Sequence, residues 1–434
     1  MSLKDAQPLS DQSADRLATS HTDARTQNRI MLFELAIDGH HSIYIQHLVR
    51  YWCKQNLSGE FHLIVAAEFT AKCADVVAIA QQNPQSKISF HPISPAEAAA
   101  LTHSPTTFFQ RKARAWQEWN LLCKYANQLQ ATHCLLASFD FFTWPFIFGQ
   151  TPPCPISSIY FKPTFHYASF PDYAPTLKAR LQQQEEQLLL PLVFRQPHLH
   201  RLFYLDPLAV EALNARAKDK AVTLADPVEI PTVQTPASEL QSQLNISTHR
   251  TIFLLFGELT ERKGILQTLE AIALLPIDLC KQICLLLVGR CSPAAKQQFQ
   301  SAIAQVRQTQ PVQIIEQYEF VSQQTVQDYF HLADVVLAPY QKHVGMSGIL
   351  LQASAAQTPV LSSNYGLMGE LVRRYQLGLA VDSTRPAELA KALSEFLQSP
   401  ADSFHNPRKM QQFVQQNTVE KFASTLLNAM RSSP

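Results

Sequence analysis

The stretch Thr251-Ile252-Phe253-Leu254-Leu255-Phe256-Gly257-Glu258-Leu259-Thr260-Glu261-Arg262-Lys263-Gly264 runs from an apolar segment into a loop that carries two adjacent cations and closes on glycine. Five apolar residues in a row before a glycine read as a buried strand. Apolar side chains then recur at helical spacing over residues 265–275. A strand, a short loop with Arg262 and Lys263, and a helix place two cations at a helix entrance. The backbone N–H groups there favour anions, so the loop suits a phosphate or diphosphate. A solvated turn with ordinary surface cations is the alternative.

Working outward, further strands are expected at 282–288, 312–316, 333–338 and 359–362, with helices between them and one or two helices over 404–430. Of eleven glycines in the chain, eight fall here: Gly257, Gly264, Gly289, Gly345, Gly348, Gly366, Gly369 and Gly378. Most sit at the ends of expected strands. Ligands of open α/β sheets bind outside the carboxyl ends of the strands, where the backbone must approach them closely. A second loop of this kind is His343-Val344-Gly345-Met346-Ser347-Gly348. Its amides and the Ser347 hydroxyl can face a phosphate, although no G-K-[ST] follows, so it is not a Walker loop.

Upstream, strands at 30–37, 61–66, 133–137 and 156–161 alternate with helices through Tyr44, His47, Leu48 and Tyr51 and over 108–130. Such alternation predicts parallel sheets covered by helices. Three prolines in residues 226–236 mark a linker. The division read from the chain is a disordered polar tail (1–27), an N-terminal domain (28–225), the linker (226–236), a C-terminal domain (237–402) and a helical tail (403–434).

The bulk numbers suit two such domains. The chain has 434 residues, is 46% hydrophobic and carries a formal net charge of +1, so no nucleic-acid partner is indicated. The eight cysteines form no CxxC pair and read as reduced, buried hydrophobes. Residues 1–27 lack an apolar core, and no apolar run is long enough to span a bilayer. A cytoplasmic protein is expected, with peripheral contact with a membrane left open.

Six pieces in order resemble the C-terminal domain of family 4, or group 1, retaining glycosyltransferases. They are Gly257 to Gly264; Leu285-Leu286-Leu287-Val288-Gly289; residues 332–339; Gln352-Ala353 to Thr358-Pro359-Val360; Gly369-Glu370-Leu371-Val372; and residues 377–381. The resemblance implies a GT-B fold, two Rossmann-like domains facing across a cleft, with the C-terminal helix packing back on the N-terminal domain. It implies a retaining sugar transfer from a UDP- or GDP-linked donor to a glycan, lipid or small-molecule acceptor, with no cofactor; because no D-x-D follows an apolar strand, the transfer is expected to be metal-independent. On that reading the donor contacts are Gly257, Glu258, Arg262, Lys263, Gly345, Ser347, Gly348 and Gln352. Lys263 falls on the family's diphosphate lysine and Gln352 on its ribose-binding glutamate. The family's first-loop arginine is Glu258 here, and the first acid of its E-x7-E pair is Val344, with His343 next to it as a substitute. Catalytic residues are then expected to be Lys263, His343 and His166, the last replacing a family histidine that falls near Phe161 or Lys162. Gly39, His40, His41 and Asp140 are the acceptor-side candidates. Because both acids of the pair are replaced, the alternative is a catalytically weak relative that binds nucleotide sugar or acts as a scaffold.

Three other runs have plain readings. The aromatic run 139–148 reads as a buried strand end, with an apolar acceptor or a membrane surface as its functional alternative. Arg111-Lys112-Ala113-Arg114 reads as a solvated helix face. Gln182 to Glu186 reads as an exposed helix surface.

Overall fold

The computed structural model describes residues 28–37, 41–102, 107–170, 173–213, 217, 219–400 and 403–431. The expected tail 1–27, together with Asp38, Gly39 and His40, lies outside the described residues.

The N-terminal domain is built on seven parallel strands: β1 (Arg29–Glu34), β2 (Glu60–Val65), β3 (Ile88–Pro92), β4 (His133–Leu136), β5 (Ile156–Tyr160), β6 (Leu199–Tyr204) and β7 (Ala221–Thr223), in the spatial order β3-β2-β1-β4-β5-β6-β7. The C-terminal domain has six: β8 (Thr251–Phe256), β9 (Ile283–Val288), β10 (Gln313–Gln317), β11 (Val335–Ala338), β12 (Val360–Ser363) and β13 (Gly378–Val381), in the order β10-β9-β8-β11-β12-β13. Every pairing is parallel. In both sheets the order reverses beside the first strand, which leaves a crevice at the carboxyl ends.

Apolar runs without alternation follow from burial on both faces. In β1, Met31 and Phe33 enter one core while Ile30 and Leu32 enter the other. In β8, Ile252 and Leu254 point one way, Phe253 and Leu255 the other. This is the two-residue strand period serving two helix layers at once.

Residues 226–236 connect the domains without helix or strand. The chain then crosses back. The helix Pro407–Gln416 places Met410 and Phe413 in the C-terminal core. The helix Val419–Arg431 places Phe422, Leu426, Leu427 and Met430 in the N-terminal core. His200 lies 3.0 Å from Ala429 O, and Arg431 donates to Ser58 at 3.0 Å. The two crossings touch: the Asp226 N–H donates to Asn417 Oδ1 at 2.9 Å.

Two expectations are corrected. The Gln182 to Glu186 run is not simply exposed, because Gln183 and Glu186 are buried on the helix Leu177–Arg195. The Glu186 carboxylate accepts from the amides of Thr164 at 2.7 Å and Phe165 at 2.9 Å and from the Thr164 hydroxyl at 3.1 Å. Four acceptor lone pairs among buried amides explain an inward carboxylate. The aromatic run forms a turn and the short helix Thr143–Phe148, with Phe139, Phe142 and Phe146 buried and Phe141, Trp144 and Phe148 exposed.

Candidate active site

The loop after β8 folds over the end of β11. Gly264 takes φ +74°, and a Cβ there would meet Pro339 O at 2.2 Å, so only glycine lets the two loops close. The short turn Glu261–Lys263 then turns Lys263 inward. Its side chain is 6% exposed. The Nζ donates to Phe256 O at 3.0 Å and to the Tyr340 hydroxyl, and it sits 4.3 Å from the centre of the Tyr340 ring. Among the described residues no carboxylate lies within ion-pair distance of it. A buried ammonium held only by neutral acceptors is short of a counter-ion, which is how an anion site is built. Gly257 borders it: a Cβ there would lie 3.1 Å from Lys263 Nζ. Glu258, next in the chain, is exposed.

The second loop meets the first through His343. Arg262 donates to His343 Nδ1 at 2.8 Å, and His343 Nε2 lies 3.3 Å from Met346 O. An arginine has no acceptor, so Nδ1 must accept and Nε2 carries the proton. Burial, then the Arg262 charge, push the imidazole down to about 4. His343 is therefore neutral at pH 7. Gly345 adopts φ +105°, and a Cβ there would come into ordinary contact with Phe161 O at 3.9 Å. Ser347 and Gly348 start the helix Gly348–Ala355, and Ser347 Oγ reaches 3.5 Å from the Tyr340 hydroxyl. Tyr340, which ties Lys263 to Ser347, was missed. Its signal was its place directly beyond β11 at a carboxyl end.

A cavity of about 400 Å³ opens between the domains. His343 to Met346, Gly348 and Gln352 wall it on one side, and Tyr44, Phe161, Lys162 and Asp226 on the other. Val344, on the position of the family's first acid, contributes no charge to it. Gln352 departs from expectation. Its carbonyl oxygen accepts from Gln327, and its amide donates to Glu229 O at 3.0 Å, which ties the linker to the C-terminal domain. A ribose contact requires one of these bonds to exchange.

A second cavity, about 390 Å³, lies in the N-terminal domain and shares Phe161 and Lys162 with the first. His41 and Asp140, two of the acceptor-side candidates, line it together with Arg111, Lys112, Trp144 and Lys178. His41 Nδ1 is 2.7 Å from Glu34 Oε2. Asp140 accepts from the Lys162 amide at 2.9 Å, the Phe161 amide at 3.3 Å and Ser138 Oγ at 3.2 Å, which anchors the shared wall. Burial nevertheless holds its carboxyl above the usual range. Lys112 is not on a solvated face. It and Trp144 Nε1 both donate to Glu185 at 2.5 Å, a knot at the cavity rim.

His166 stands apart. Its side chain is 4% exposed, 2.9 Å from Asp206, and enclosed by Phe165, Tyr167 and Phe170. It lines neither cavity. Tyr167 beside it joins the C-terminal core and packs against Gly366, so this segment serves the domain interface, and a catalytic role for His166 finds no support in its position.

The family model described as "Glycosyl transferases group 1" matches residues 237–417. The C-terminal domain is a group 1 glycosyl transferase domain. A D-inositol 3-phosphate glycosyltransferase of Rhodococcus opacus is 31% identical over 98 residues, and that match spans only 21% of this chain and 22% of the relative's length. A relative from Rhodococcus jostii matches at the same identity over 98 residues. Among solved structures, sucrose-phosphate synthase from Thermosynechococcus elongatus superposes with a TM-score of 0.65 at 16% identity, over 93% of this chain and 98% of that one. HepE from Anabaena, solved with UDP, gives 0.64 at 12% identity, over 94% and 100%. These likenesses show that the group 1 domain sits in a GT-B fold.

Proposed function

We propose that the chain is a retaining glycosyltransferase. The donor, a nucleoside-diphosphate sugar, lies across the carboxyl ends of β8 and β11, and the acceptor occupies the N-terminal cavity. The observation that carries this reading is Lys263, a buried ammonium with two neutral acceptors and no carboxylate. A diphosphate supplies the missing charge. As the bond from sugar to diphosphate lengthens, charge grows on the leaving oxygens. Lys263, Arg262 beyond it, Ser347 and the amides that open the helix Gly348–Ala355 are aligned in advance to hold that charge. No metal is needed in this scheme. The neutral His343, its Nδ1 taken by Arg262, is a hydrogen-bond donor for the sugar once Nε2 leaves Met346. HepE was crystallised with UDP and with UDP-glucose, which supports a uridine-linked donor; GDP-linked sugars remain in the test.

A second reading is donor binding without turnover. It is favoured by Gln352, whose amide is engaged at both ends, and by uncharged Val344. Thermal stability measured against nucleotides and nucleotide sugars tests both. A bound donor at a hundredfold excess over Kd adds about 2.7 kcal/mol. A shift with one nucleotide class, lost in Lys263→Ala, supports a donor site. The same shift with no sugar released to any acceptor or to water selects the second reading. Absence of any shift refutes both.

A further inference from the structure

The helix Leu177–Arg195 is turned inside out. Leu177, Leu181 and Leu188 are 75%, 59% and 73% exposed. At about 100° per residue they fall within roughly 40° of one another. The opposite, buried face carries Gln183 and Glu186 beside Leu189, Leu190 and Val193. The helix Thr143–Phe148 packs against this one and adds exposed Trp144 and Phe148, whose rings are 5.5 Å apart. The helix Phe108–Gln128 also packs against Thr143–Phe148 and presents Phe109, 81% exposed. Among the described residues, six of the thirteen exposed large apolar side chains therefore gather on three adjoining helices, a density that marks an interaction surface.

The charges on this surface have one sign. Lys178 and Arg180 are exposed between the leucines. The nearest acids are spent, Glu185 on Lys112 and Trp144, and Glu186 on buried amides. A second copy of the chain is disfavoured as the covering partner, because a two-fold contact would set these cations against their own copies. An anionic surface satisfies the leucines and the cations together.

We propose that this face docks on an anionic lipid bilayer, with Leu177, Leu181, Leu188 and Phe148 entering the headgroup boundary and Lys178 and Arg180 meeting lipid phosphates. Trp144 and Lys178 also line the N-terminal cavity, so docking sets the cavity rim beside the headgroups. That consequence for the acceptor rests on the transferase reading; the docking does not.

The test is flotation of the full chain with vesicles of phosphatidylcholine alone and with about a third phosphatidylglycerol. L181S/L188S and R180E are the variants, chosen because none of the three residues lines either cavity. Expected are binding to the anionic vesicles, about tenfold weaker binding for L181S/L188S, and a salt dependence reduced in R180E. Circular dichroism and an unchanged nucleotide-induced thermal shift show that the double variant is folded. Failure to float, or equal flotation of folded L181S/L188S, overturns the proposal. So does a dimer in solution that becomes monomeric in L181S/L188S while vesicles are ignored. A wild type that floats but shows no nucleotide shift overturns the transferase reading and leaves docking intact.

Discussion

Replacing Asp226 with asparagine is expected to stabilise the protein near neutral pH and to do far less in acid. Asp226 opens the linker, half-buried in the wall of the interdomain cavity. Its side chain accepts from the Tyr44 hydroxyl at 3.3 Å, and its N–H is fixed by Asn417. Burial pushes its carboxyl from 3.8 up to about 6, with partial relief from the Tyr44 hydroxyl. Two units correspond to about 3 kcal/mol. Because one edge of the residue meets solvent, about 2 kcal/mol is the working figure. The folded chain holds the proton that the unfolded chain releases near 3.8. The stability tied to that proton is complete below pH 3.8 and is lost as pH rises through 6. Asparagine keeps an acceptor for Tyr44 and never ionises. Urea unfolding at pH 4 and pH 7.5 should then show the variant's advantage growing by about 2 kcal/mol between the two. An advantage of the same size at both pH values would refute the assignment of a raised carboxyl to this site.

Lys263→Ala should cut turnover by about 30- to 1,000-fold, the equivalent of roughly 2–4 kcal/mol of transition-state stabilisation, read as kcat/KM for the donor. Gly264→Ala should cost about 2–4 kcal/mol in the C-terminal domain, since φ +74° and a 2.2 Å approach to Pro339 O both oppose a Cβ; denaturant midpoints measure it. Glu186→Ala leaves two buried amides without partners and should cost roughly 2–4 kcal/mol, with hydrogen exchange at Thr164 and Phe165 rising first. The His343 imidazole should titrate near 4 in the free protein by proton NMR, and a diphosphate bound beside Arg262 should move it upward.

Much of the fold was legible because both sheets write themselves as apolar runs. β1, β2, β4, β5 and β8 to β12 each match an expected strand to within a few residues. β3, with His91 and Pro92, and β7, with three residues, escaped because edge strands are short and half-polar. β6 escaped because its first half, Leu199-His200-Arg201, alternates with polar side chains. The loops around Lys263 and Gly345 were legible from glycine and cation placement. What pairing does to a residue was not. The role of Gln352 as an anchor for Glu229 depends on a contact across 123 positions. Glu186 reads as surface until the amides of Thr164 and Phe165 are seen folded onto it. His166 looked chemically useful in isolation, and only its enclosure by three rings and Asp206 shows otherwise.

Because the chain passes between the domains twice, and the passages are stitched together at Asp226 and Asn417, neither half is a separable piece of polypeptide. A fragment ending at residue 225 would lack Phe422, Leu426, Leu427 and Met430, which pack beside Ile45, Leu48 and Trp52 on one face of its sheet. At roughly 1.5–3 kcal/mol for each large side chain, that missing helix is worth as much as a typical domain's entire margin of stability. On a ribosome the first domain must therefore wait, one side only partly covered, until the thirteen-residue helix Val419–Arg431 emerges. Two side-by-side passages, bonded to each other between Asp226 and Asn417, also hold the domains at two neighbouring points of the chain rather than at one.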